Sequence, residues 1–188
     1  MHGFGDFINN SKKCYYKGQW EFDKQHGCGT ERYSDKSSYH GYFEESKKNG
    51  IGTFDFIDGK NYHGEFKDDM ITGKGIFKYP DGRFYDGEFI NNCKEGVGLF
   101  FWPDGRLYEG CYLADKKEGY GKMTWPNGQI WEGSWKNGLQ HGYGTSTDKT
   151  GIEIPQLVLY GKVKQEMVNG QTKPKADQCF VQRMHDMY

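Results

Sequence analysis

From Tyr85 the chain alternates apolar and polar residues, Tyr85-Asp-Gly-Glu-Phe89. A period of two is that of a β-strand, with Tyr85, Gly87 and Phe89 on one face and Asp86, Glu88 and Ile90 on the other. Asn91 to Glu95 is polar and predicts a turn. Gly96 to Trp102 predicts a second strand, with Gly96, Gly98, Phe100 and Trp102 on one face and Val97, Leu99 and Phe101 on the other. The unit is a β-hairpin, and it returns every 23 residues. Its leading aromatic falls at Tyr16, Tyr39, Tyr62, Tyr85, Tyr108 and Trp131. A glycine follows at two residues, a second aromatic at four (Trp20, Phe43, Phe66, Phe89, Tyr112, Trp135), and a Gly-x-Gly pair at eleven and thirteen. A fixed period near this length marks a stacked array of one small unit.

The glycines offer no side chain and weaken a strand, so each is expected to make room for a neighbouring ring. Pro80-Asp81-Gly82, Pro103-Asp104-Gly105 and Pro126-Asn127-Gly128 join successive hairpins with turn chemistry. Ser34-Asp35-Lys36 lacks the glycine, which predicts a looser first junction. Strand and turn alternate with no helix, giving an antiparallel meander whose twelve strands would extend about 55 Å. The expected organisation is a partial N-terminal repeat over 1–15, six repeats over 16–153, a degenerate half-repeat over 154–170 and a tail over 171–188. His2 to Phe7 resembles the closing strand of a missing repeat, one residue out of frame. After an expected insertion around Ile152 to Leu157, Leu159-Tyr-Gly161-Lys-Val163 resembles an opening strand, with Val168-Asn169-Gly170 as its turn. Phe180, Val181, Met184 and Tyr188 would share one face of a short C-terminal helix, serving as a cap or a docking segment.

Composition narrows the function. Aromatics make up 17% of the 188 residues while the mean hydropathy is only -0.95, which suits a thin sheet with rings along one face. A net charge of -1 gives no basic stripe for nucleic acid. No apolar run is long enough to span a bilayer, and the N-terminus lacks the basic start of a signal peptide. Five scattered cysteines without a C-x-x-C predict reduced thiols and a cytoplasmic setting.

Tyr62-His-Gly64-Glu-Phe66, Gly73-Lys-Gly75 and Pro80-Asp81-Gly82 resemble the MORN (membrane occupation and recognition nexus) repeat in order and spacing. The resemblance covers residues 16 to about 151. Glu31 and Ser146 depart from it where Phe54, Phe77, Phe100 and Met123 stand, and Asp148 replaces the second-strand aromatic. It implies an all-β, elongated single-layer sheet with a shallow groove and a non-catalytic role. It further implies a scaffold or adaptor in a cytoskeletal setting, the ciliary axoneme first. A membrane-recruiting module for anionic lipid and a regulatory subunit positioning a separate enzyme are the alternatives.

The chemistry agrees with a binding role. Gly-x-Gly precedes a strand, whereas a phosphate loop needs a following helix N-terminus. His40 and His63 are separated by one strand, about 10 Å, too far to share a zinc at about 2.1 Å per ligand. No nucleophile–base constellation can be placed, so no enzyme activity, cofactor or metal is expected. Charges on the second face nearly cancel and interleave, which disfavours a lipid-facing patch. Two faces remain as docking candidates for another protein. One is a groove along the rings Tyr62, Phe66, Tyr85, Phe89, Tyr108 and Tyr112. The other is an apolar patch of Ile90, Val97, Leu99, Phe101, Cys111 and Leu113. Unpaired sheet ends also allow end-to-end homodimers.

Overall fold

In a computed structural model, which describes residues 2–9 and 14–166, every element is a β-strand. The chain divides into two compact units, Met1–Asn92 and Cys93–Tyr188. The first holds β1 (Gly3–Asn9), β2 (Cys14–Glu21), β3 (Lys24–Tyr33), β4 (Ser38–Glu44), β5 (Lys47–Asp55), β6 (Asn61–Lys67), β7 (Met70–Lys78) and β8 (Phe84–Ile90). The second holds β9 (Cys93–Phe101), β10 (Leu107–Leu113), β11 (Lys116–Thr124), β12 (Ile130–Lys136), β13 (Leu139–Thr147), β14 (Glu153–Leu159) and β15 (Lys162–Glu166). Within each unit, consecutive strands pair antiparallel in chain order, an all-β meander as the alternation predicts.

The leading aromatic of each hairpin is the core. Tyr39, Tyr62, Tyr85 and Tyr108 are wholly buried, and Tyr16 and Trp131 nearly so. Each tyrosine hydroxyl donates to the carbonyl three residues on: Tyr16 to Gln19 at 2.8 Å, Tyr62 to Glu65 at 3.0 Å, Tyr108 to Cys111 at 3.1 Å. Each ring also meets the second aromatic edge-on. Tyr39 lies 5.1 Å from Phe43 of its own hairpin and 5.0 Å from Phe66 of the next. Such contacts add about 0.5–1.5 kcal/mol beyond area burial.

The two glycines of Gly-x-Gly have different tasks, where the sequence suggested one. Gly121 faces Gly110 across β10 and β11, and a Cβ on it would fall 2.6 Å from Tyr108 Cζ. Gly119 has φ +78 and sits where the register shifts between Gly110 and Tyr112. It supplies the backbone of a β-bulge, and Gly121 supplies the space.

The closing strand starts three residues earlier than predicted. Asn91 and Asn92 alone form the turn, both at positive φ, and β9 starts at Cys93. The same two-residue turn recurs at Phe22-Asp23, Glu45-Ser46, Asp68-Asp69 and Ala114-Asp115, also with positive φ at both residues. This is the pattern of type I′ hairpins, whose twist matches that of the strands they join. At the first junction Lys36 adopts φ 76, the conformation that glycine takes at Gly59, Gly82 and Gly105.

The expected C-terminal elements are corrected. Tyr160 and Gly161 are the turn of a hairpin between β14 and β15, not the middle of an opening strand. No insertion precedes it. Ile154, Gln156 and Val158 pair with Ser146, Gly144 and Gly142, keeping the 23-residue frame with apolar and polar residues in place of Tyr, Gly and the second aromatic. Val158 is as buried as the rings it replaces. The predicted turn at 168–170 and helix in the tail lie outside the described residues.

Candidate partner-docking faces

The ring face of the first unit has two rows of aromatics. The inner row is the closed column from Tyr16 to Tyr85. The outer row is carried by the closing strands and the residues that follow them: Tyr33, Phe54, Phe56, Phe77 and Tyr79. Its neighbours lie 5.9, 4.5, 5.6 and 5.0 Å apart in that order. All five rings are half-buried. Burial pushes the Tyr16 hydroxyl up to about 12, with Glu31 adding to the shift. In the second unit the equivalent positions hold Phe100, which is buried, and the half-buried Trp102, 4.4 Å apart.

This changes what the groove candidates can offer. Tyr62 and Tyr85 expose none of their surface, and Phe66 and Phe89 are buried beside them. In the second unit Tyr108 and Tyr112 are likewise buried. Within each unit these rings form a floor, and in the first unit the accessible aromatic surface belongs to the outer row. The sequence signal for that row was present: Phe54 and Phe56, Phe77 and Tyr79, and Phe100 and Trp102 recur just before the Asp-Gly junctions. In the first unit Arg83 lies over Tyr79 at 4.8 Å, and in the second Arg106 lies over Trp102 at 5.2 Å. Each arginine is held by its junction aspartate, Arg83 by Asp81 at 2.7 Å and Arg106 by Asp104 at 2.8 Å.

The opposite face is mixed. In the first unit Ile90 is 55% exposed. In the second, Leu113 is 54% exposed, Leu99, Phe101 and Cys111 are half-buried, and Val97 is only 2% exposed. Val97 stands opposite Cys111, and Phe101 opposite Leu107. Leu99 faces Glu109, which itself faces Lys122. The patch is therefore interrupted by charge. Leu107 and Ile130 extend its apolar row along Phe101, Leu107, Thr124 and Ile130, which alternation alone did not single out.

The polar groups serve the sheet. Thr30 Oγ1 bonds His40 Nδ1 at 2.8 Å, and Thr53 Oγ1 bonds His63 Nδ1 at 2.9 Å. Among the described residues, no group of three or more His, Cys, Asp or Glu could hold a metal ion. Glu31 is buried in the ring face, where its carboxylate accepts from Tyr33 Oη and, at 3.4 Å, from Cys14 Sγ. Lys48 Nζ lies 3.4 Å from the same carboxylate. That cluster explains how a charged residue replaces phenylalanine at this position.

Successive hairpins are also clasped at their turns. The second turn residue donates its N–H to the carbonyl 21 residues before, as Asp69 does to Lys48 at 3.0 Å and Asp115 to Lys94 at 3.1 Å. Its side chain accepts from the N–H of that same residue, Lys48 to Asp69 at 2.9 Å and Lys94 to Asp115 at 3.0 Å.

Comparison with known proteins places this geometry. The family model of the MORN repeat matches residues 16–38, 39–60, 62–82, 85–105, 108–130 and 131–152. No curated protein matches the chain. Among solved structures, the chain is similar to the SAS-4 (dCPAP) TCP domain of Drosophila melanogaster, solved in complex with a proline-rich motif of Ana2 (dSTIL). The TM-score is 0.50 at 10% identity, covering 82% of this chain and 90% of that one. It is also similar to the TCP10 domain of Danio rerio CPAP in complex with a peptide of STIL. There the TM-score is 0.52 at 13% identity, covering 86% and 72%. At these identities the likeness is one of fold.

Proposed function

The chain belongs to the MORN repeat family, and on that premise we propose that it is a non-enzymatic scaffold that binds an extended segment of another protein on its ring face. The observation that carries this reading is the outer row. Tyr33, Phe54, Phe56, Phe77 and Tyr79 present half-exposed rings at 4.5–5.9 Å intervals above a closed core. Rings so spaced suit a polyproline-type or extended peptide, which arrives with little ordering entropy to lose. The two similar folds solved with a proline-rich motif and a peptide support the same mode. The setting we propose is a cytoskeletal assembly, with the ciliary axoneme first.

Proximity labelling in the native cell, read by mass spectrometry, identifies candidate partners. Direct titration of each against Phe56→Ala/Tyr79→Ala then tests the face. These rings are half-buried, so the variant is expected to keep its strand spectrum and lose affinity by about tenfold or more. Unchanged affinity would remove the ring face from the proposal. A separate Leu99→Asp/Leu113→Asp variant tests the opposite face. Exclusion of the tagged protein from cilia in a ciliated cell would remove the axonemal setting.

A further inference from the structure

The turn clasp follows a rule, and the rule breaks at one lysine. Position 117 in its hairpin corresponds to Lys48 and Lys94 in theirs. Lys48 Nζ is held by Asp69 at 3.4 Å, and Lys94 Nζ by Asp115 at 2.8 Å, each carboxylate lying 21 residues on. The corresponding position for Lys117 is Gly138. Its N–H still donates to the Lys117 carbonyl at 2.9 Å, so the backbone half of the clasp survives without a carboxylate.

Lys117 is nevertheless half-buried among aromatic rings. Its Nζ lies 4.2 Å from the Trp135 ring centroid, 5.2 Å from Tyr108 and 6.0 Å from Trp102. The rings attract the cation through their negative faces but accept no conventional hydrogen bond. Three N–H donors are thus gathered on the ring face, and no carboxylate among the described residues receives them. Desolvation, with Arg106 nearby, pushes this amine down to about 8, and among the described residues no carboxylate opposes that shift. A partner acid would recover what Asp69 and Asp115 give Lys48 and Lys94.

We propose that Lys117, framed by Trp102, Tyr108 and Trp135, is the docking point for an aspartate or glutamate side chain of a protein segment bound on the ring face of the second unit. The inference rests on the ring-face reading above and adds a charge requirement to it. Arg106 beside Trp102 is neutralised by Asp104 at 2.8 Å, so the uncompensated charge at this place is that of Lys117. Gly138 is the gap that leaves Lys117 open to a partner, where a carboxylate would otherwise have satisfied it from within.

The test uses the full chain and random twelve-residue peptides displayed on phage. Three proteins serve as bait: wild type, Lys117→Met and Gly138→Asp. The first variant removes the charge at a position where the repeat already accepts Ile71. The second restores the internal carboxylate at a turn position where Asp69 and Asp115 already adopt φ 67 and 66. Wild type is expected to enrich peptides with a fixed acid. The enriched peptide and its amide counterpart are then synthesised, binding to all three proteins is measured by calorimetry, and the Lys117 13Cε signal is followed in wild type. The acid-to-amide change, Lys117→Met and Gly138→Asp should each weaken binding by about tenfold. An amide peptide that binds equally, affinity indifferent to both variants, or an unmoved Lys117 signal would overturn the docking point while leaving the protein-binding reading intact. Enrichment of no peptide over empty support would overturn both. Lys117-dependent pelleting with phosphatidylserine vesicles, without acidic-peptide binding, would assign the site to a lipid headgroup and reject the proposal.

Discussion

Asp115 reaches back to Lys94 with two bonds from one oxygen, accepting from its backbone N–H at 3.0 Å and its ammonium at 2.8 Å. The pair joins one hairpin to the next where no strand ladder runs. Asp115→Ala should cost about 1 kcal/mol, most of it from the backbone acceptor, because the half-exposed ion pair is screened by water. Desolvation pushes the Asp115 carboxyl up, but the bonds from Lys94 outweigh it and hold the group below its ordinary 3.8. A depressed acid contributes its stability above the unfolded value and loses it as pH falls through the folded one. The gap between wild type and Asp115→Ala should therefore be full at neutral pH and narrow below pH 3.8. Urea unfolding at neutral pH and in acid measures both; a gap that widens in acid would contradict the clasp.

Trp131 departs from the tyrosine column in one respect. Five tyrosines donate their hydroxyl to the carbonyl three residues on, while Trp131 Nε1 is buried without a partner among the described residues. An unmet buried donor costs about 1–3 kcal/mol. Trp131→Tyr would place a hydroxyl toward the Ser134 carbonyl by the same geometry. We expect a gain of about 1 kcal/mol, offset in part by lost ring area, and a melting temperature higher by roughly 2–4 °C. A lower melting temperature would show that the indole's packing outweighs its unmet donor.

Gly121→Ala tests the space that the Tyr108 ring occupies. The added Cβ would lie 2.6 Å from Cζ and 2.7 Å from Cε2 of a ring with no room to retreat. The clash should cost more than about 3 kcal/mol and abolish cooperative unfolding of the second unit. Gly138→Ala makes the contrast, since nothing lies within 4 Å of a Cβ there and only the positive φ opposes it. A loss at Gly121 no larger than that at Gly138 would mean that the Tyr108 ring gives way to the added Cβ and that ring packing does not require the paired glycines.

The opening strands were legible because their core residues are aromatic and in strict frame. The seventh hairpin was not, because Ile154, Gln156 and Val158 keep the frame without its residue types. Its surviving signature is a backbone bond, Gly161 N–H to the Gln140 carbonyl at 2.8 Å, which side-chain patterns do not report. The I′ turns were hidden for a related reason: Phe22, Ala114 and Tyr160 take positive φ without the asparagine or glycine that usually announces it. The ring-face candidates were legible as rings but not as buried ones. Alternation assigns a face, and only the outer row's position beyond the core decides which rings stay accessible.

The Lys117 cage should also be visible in the pH dependence of folding. A base whose folded value is lowered disfavours the proton in the native state. Between the folded value of about 8 and the ordinary 10.5 the unfolded chain binds more protons, so stability should rise with pH there. After allowance for partial exposure the rise should be on the order of 1–2 kcal/mol. Above pH 10.0 the buried tyrosines reverse the trend. Tyr16, pushed up to about 12, keeps its proton while unfolded tyrosines ionise, and stability falls. Lys117→Met should flatten the rise and leave the alkaline fall unchanged. Gly138→Asp should also flatten it, by raising the lysine back toward its ordinary value. Parallel stability profiles for wild type and both variants, by urea unfolding from neutral pH into the alkaline limb, would show that the lysine is hydrated and that the three rings enclose it only loosely.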